Sequence, residues 1–114
     1  MMRNLATAAL IVGALTFAVG GVSWAAESHK NQAIKEIEEG VSHGKQGHAD
    51  ILVKHAEEAL KHAEMAQKKK KTGNPHMTGA IHDLKDAIEH GKAGKADVAT
   101  HHLEDALVHL NEVK

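Results

Sequence analysis

His43-Gly44-Lys45-Gln46-Gly47-His48-Ala49-Asp50 returns 47 residues later as His90-Gly91-Lys92-Ala93-Gly94-Lys95-Ala96-Asp97. Working outward, His55-x-Glu-x-Ala-Leu-x-His62 returns in the same register as His102-x-Glu-x-Ala-Leu-x-His109. Residues 28–67 align without a gap on 75–114, with 14 identities in 40 positions. Two matched segments at one offset mark a true internal repeat, so the fold of one half is the fold of both.

Each half reads as two helices around a glycine-bearing turn. Ala33, Ile34, Ile37 and Val41 recur at helical spacing, as do Ala80, Ile81, Leu84 and Ile88. Leu52, Ala56, Ala59, Leu60, Ala63 and Ala66 form the next stripe, matched by Ala99, Leu103, Ala106, Leu107 and Leu110. Gly44 and Gly47 break the first pair, Gly91 and Gly94 the second, with Gly44 and Gly91 read as helix caps. Gly73-Asn74-Pro75 divides the halves and places Pro75 to open a helix. The helices expected are 30–43, 48–71, 76–90 and 95–112. Four amphipathic helices with short connections predict an all-α, up-down-up-down four-helix bundle made of two repeated helical hairpins. A monomer is favoured because the two halves can bury their stripes against each other; hairpins exchanged between chains would use the same contacts.

The N-terminus reads as a signal peptide, residues 1–25. Arg3 supplies the positive start, Leu5 to Gly20 an uncharged, mostly apolar run, and Ser23-Trp24-Ala25 a small-residue exit. Cleavage is expected after Ala25; a cut after Ala26 would put the large Trp24 third before it. A retained membrane anchor is the alternative. What remains is a single domain, 26–114, with no membrane association expected after cleavage. It keeps all 11 histidines and loses the chain's one Phe and one Trp. With no cysteine it can form no disulfide, thiolate metal site, iron–sulfur cluster or covalent haem link. Its 13 Lys against 15 acids form no basic stripe, so nucleic acid is not an expected partner.

The histidines keep a period of seven, close to two helical turns. Folding each hairpin about its turn gives a ladder: His43/His48, Glu36/His55 and His29/His62, then His90/Lys95, Asp83/His102 and His76/His109. Neighbouring rungs should lie about 10 Å apart, as separate sites. Glu58 between His55 and His62, and Asp105 between His102 and His109, can join them from one turn away. Glu39 and Asp86, four before His43 and His90, can do the same. His82 and His101 fall nearly opposite each other and are read as ordinary surface histidines; Met65 and Met77 are read as packing or loop residues. The candidate metal ligands are therefore His29, Glu36, His43, His48, His55, Glu58, His62, His76, Asp83, His90, His102, Asp105 and His109. Imidazole with carboxylate suits Cu(II), Ni(II) and Zn(II), and at equal geometry Cu(II) binds most tightly. An all-oxygen calcium or magnesium site is a poor match. No base, nucleophile and substrate pocket can be assembled, so an enzyme is not expected.

The leader, the His-Gly-Lys-x-Gly-His/Lys-Ala-Asp turns and the following His-x-Glu-x-Ala-Leu-x-His helices resemble the small metal-binding protein family of ammonia-oxidising bacteria, over residues 28–113. The resemblance implies a periplasmic monomer that binds several divalent ions, copper above all, and helps buffer them. It also implies metal-binding roles for His43, His48, His55, His62, His90, His102 and His109, with Lys95 departing from the motif. Two rival classes are a b-type haem bundle, which the alanine-rich core without aromatics disfavours, and a pH-responsive stress or adaptor protein. The sequence names no partner for metal delivery.

Overall fold

The computed structural model describes residues 22–69 and 74–113, and among them there are four helices and no strand. They are α1 (Val22–Lys45), α2 (Ala49–Lys69), α3 (Pro75–Lys92) and α4 (Ala96–Asn111). α1 packs on α2 and α4, and α3 on the same two helices, so the chain forms the expected four-helix bundle of two hairpins. α2 and α4 also touch across the diagonal. The apolar run 5–20 lies outside the described residues, and α1 continues through Ala25–Ala26, where cleavage is expected. No helix among the described residues is long and apolar enough to cross a membrane.

The core is built from the expected stripes. Ile37, Leu52, Leu84, Leu103 and Leu110 are the largest fully buried side chains, and alanines 33, 56, 59, 63, 80, 87, 99 and 106 fill the space between them. Alanine contributes little apolar area but lets helices approach closely, while keeping the highest helix propensity. Met77 is buried and Met65 exposed.

Helix ends correct part of the sequence reading. Gly44 and Gly91 are not caps; they lie in the last turns of α1 and α3, where another backbone or side chain comes very close. A Cβ on Gly44 would collide with Thr100 Oγ1 and stand 2.6 Å from Leu52 Cδ1, and one on Gly91 would stand 2.6 Å from Val53 Cγ2. The residues that end the helices are Gly47 and Gly94, with φ of 81° and 80°. Each closes a Schellman motif: His48 N–H donates to His43 O at 3.0 Å and Gly47 N–H to Gly44 O at 3.0 Å. Lys95 N–H and Gly94 N–H repeat these bonds to His90 O and Gly91 O at 2.9 and 3.0 Å. α3 starts as expected, with Pro75 in its first turn and the Asn74 side chain accepting from the His76 and Met77 N–H groups. α1 starts eight residues earlier than expected, because no Gly or Pro interrupts the stretch from Val22 to Asn31.

Candidate metal centres

The histidine register lies along the two intrahairpin seams, half-buried beside the core except at His48, which is exposed in the turn. Of the six rungs, the structure brings the two partners together in five. In the first hairpin His29 Nδ1 faces His62 Nδ1 at 3.1 Å, and His55 Nδ1 faces Glu36 Oε1 at 2.8 Å. His43 and His48 have ring centroids 6.0 Å apart. Their rung is the side-chain contact that a Schellman motif makes between its third-last helical residue and the residue after the glycine. In the second hairpin His76 Nδ1 faces His109 Nδ1 at 3.3 Å. Ligand atoms of Asp83, His102 and Asp105 lie within 4.8 Å of one another. At the sixth rung Lys95 takes the place of His48 and gives His90 no second imidazole or carboxylate.

The rungs are not the isolated sites that a 10 Å rise predicts. His43 stacks on His55 with centroids 5.5 Å apart and planes 10° from parallel, and His90 stacks on His102 at 5.2 Å and 8°. The cause is the lean of side chains toward the N-terminus of their own helix. In an antiparallel pair the two sides lean in opposite senses, so a residue on α2 reaches toward the turn while one on α1 reaches away from it. The same lean carries Glu39 to His55, 3.7 Å away, and Asp83 to His109, also 3.7 Å away. Glu36, Glu39 and His55 thereby form a three-ligand group.

The paired nitrogens have the spacing of two donors on one ion. With metal–nitrogen bonds of about 2.0 Å, two ligands stand about 3.3 Å apart in a tetrahedral site and about 2.8 Å apart in a square one. Without an ion, a neutral pair needs one Nδ1–H donating to the other ring's lone pair; an ion takes the place of that hydrogen once the donor ring moves its N–H to Nε2. His43 Nδ1 and His102 Nδ1 are buried and have no hydrogen-bond partner, a costly state that an ion would relieve. Over residues 4–113 the sequence matches the family model described as Small metal-binding protein.

The chain belongs to the small metal-binding protein family. No curated protein matches it. For this family member, a donor set of imidazole and carboxylate without thiolate fits borderline divalent ions.

Burial holds the His29 imidazole below the usual histidine range, with the His62 and Lys69 charges acting in the same sense. Its neutral, ligating form therefore persists into mildly acid solution. Asp83 is pushed up, first by burial and then by Asp105, against the pull of His109, His102 and His82.

Other expected acids are placed differently. Glu58 pairs with Lys61 at 3.7 Å and belongs to none of the three-ligand groups among the described residues. Asp86 turns to His82 rather than His90, at 3.4 Å. His82 and His101 are 76% and 82% exposed, and each takes an acid on its own helix instead of meeting the other. Sequence reasoning missed Glu112, whose carboxylate lies 3.3 Å from His76 Nε2. The repeat gave no signal for it, since Glu112 aligns with Met65.

Proposed function

We propose that this protein binds divalent transition-metal ions in the periplasm, Cu(II) ahead of Ni(II) and Zn(II), as a buffer, sink or carrier rather than as an enzyme. The observation that carries this reading is the pair of repeat-related two-histidine contacts, His29/His62 and His76/His109, at 3.1 and 3.3 Å. Family membership supports metal binding, and the donor chemistry ranks copper first. Several half-exposed sites of two or three ligands suit reversible loading. A structural ion would instead occupy one closed, four-ligand site. Export follows from the N-terminal leader pattern.

Competitive titration of Cu(II), Ni(II) and Zn(II) at neutral pH tests the reading. Several reversible sites with copper tightest are expected, and the variant combining His29→Ala with His76→Ala should lose the strongest of them. Binding no tighter than that of an unstructured histidine-rich peptide would return the histidines to a packing or pH-responsive role.

A further inference from the structure

The two histidine pairs are alike at their facing Nδ1 atoms and differ at the opposite edges of the rings. In the second hairpin His76 Nε2 lies 3.3 Å from Glu112 Oε1, and His109 Nε2 lies 3.7 Å from Asp83 Oδ2. Each ring of that pair has its partner ring at Nδ1 and a carboxylate at Nε2. In the first hairpin Glu36 and Glu39 both go to His55, and among the described residues no carboxylate pairs with His29 or His62.

Three departures from the repeat produce the difference. Glu112 stands where the first hairpin has Met65, Gly79 where it has Gln32, and Asp83 where it has Glu36. Glu112 is fixed at the end of α4, where its own N–H donates to His109 O at 3.1 Å. A Cβ at Gly79 would stand 3.1–3.2 Å from Cε1, Nε2 and Cδ2 of His109, so the ring seats its Nε2 edge in the notch that glycine leaves. Asp83 lies one turn further along α3, in the same surface hollow as Gly79 and His109.

A neutral imidazole carries one N–H, and what stands at one nitrogen decides which form is populated. A carboxylate beside Nε2 favours the N–H there and leaves the Nδ1 lone pair bare, even before the contact closes to a full hydrogen bond. With both rings in that form, two lone pairs face each other across 3.3 Å. That contact is poor without an ion and supplies the two donors an ion needs. The His29/His62 pair can instead settle as an Nδ1–H···Nδ1 hydrogen bond across its 3.1 Å, which an ion must break.

Resting on the metal-binding reading above, we propose that Glu112 and Asp83 are positioning residues that hold the N–H groups of His76 and His109 on Nε2, making this the tighter of the two histidine pairs. Carboxylates acting through a ligating histidine are worth about 10–100-fold in metal affinity. The Glu112 side chain is 56% exposed, which puts its share at the lower end, about tenfold.

The test is nitrogen NMR of the full protein labelled at its histidine rings, where protonated and bare ring nitrogens resonate far apart. In the metal-free protein at pH 8, His76 should carry its proton mainly on Nε2, and Glu112→Met should shift it toward a mixture of both forms. Zn(II) added in steps should saturate His76 and His109 before His29 and His62. Glu112→Met should weaken the first of these pairs about tenfold. Met65→Glu, at an exposed position, gives His29 the matching carboxylate and should tighten the second. Circular dichroism confirms that each variant keeps its helix content. A loss of zinc affinity without a tautomer shift, or a tautomer shift without a loss of affinity, would overturn the positioning role and leave the proposed function standing. So would His29 and His62 filling first, or a first-hairpin pair that ignores Met65→Glu. Failure of every pair to bind zinc would remove the metal-binding reading itself.

Discussion

Acidification should release metal in a pattern that depends on how many imidazoles each site uses. At the His29/His62 pair both nitrogens must be unprotonated to hold an ion, since they face each other across 3.1 Å. An ordinary histidine titrates near pH 6.5. Each proton that competes with the metal lowers its apparent affinity by about tenfold per pH unit, or about 1.4 kcal/mol. Burial, followed by the His62 and Lys69 charges, holds His29 lower, so its proton joins the competition late. With two imidazoles open to protonation, the loss of affinity at this pair should steepen toward about a hundredfold per pH unit as the His29 proton joins. The Glu36/Glu39/His55 group has one imidazole and should show the shallower loss, about tenfold per unit. Zn(II) competition at half-unit steps from pH 7 to 5, on wild type and on His29→Ala with His62→Ala, measures both slopes. A slope that never steepens, or steepening that survives loss of both histidines, would refute the assignment. The metal-free fold follows the same sign. A histidine whose folded pKa is depressed stabilises above its unfolded value, and that stability drains as pH falls through about 6.5, visible as a falling Tm.

Three further outcomes follow from the packing and the repeat. Gly44→Ala should lower stability by about 2 kcal/mol, a Tm drop of roughly 10 °C, because the new methyl meets Thr100 Oγ1 and Leu52 Cδ1. Thr100 has little freedom to yield, since its hydroxyl donates to Ala96 O at 2.7 Å; an unchanged melting curve would contradict the contact. Asn74→Ala should cost about 1 kcal/mol by removing the cap of α3, read by chemical denaturation. Lys95→His completes the sixth rung opposite His90 and should raise copper stoichiometry by one site in equilibrium dialysis; no gain would mean that the Schellman rung does not bind.

The hairpins were readable because a repeat doubles every signal. The stripes that place Leu52, Leu84 and Leu103 in the core occur in matched halves, and a period of seven puts histidines on one side of each rod. Glycine was harder to interpret. Gly44 and Gly47 look alike in sequence, yet one admits a neighbouring helix and the other takes a positive φ. That choice depends on tertiary neighbours invisible along the chain. The rungs followed from backbone register alone, but the stacks of His43 on His55 and His90 on His102 depend on side-chain lean, which a ladder of levels ignores. Lean also decides which acid serves which histidine. Glu39 goes to His55 and Glu58 to Lys61, although both sit one turn from a histidine in sequence.

The most direct test of the ladder is a Zn(II) titration of the protein labelled at its histidine ring nitrogens, followed by NMR. The account predicts that His29, His62, His76 and His109 shift at the lowest zinc additions, with His82 and His101 responding only in excess. If the exposed pair responds first, or all 11 histidines shift together, the seams are not where the metal binds.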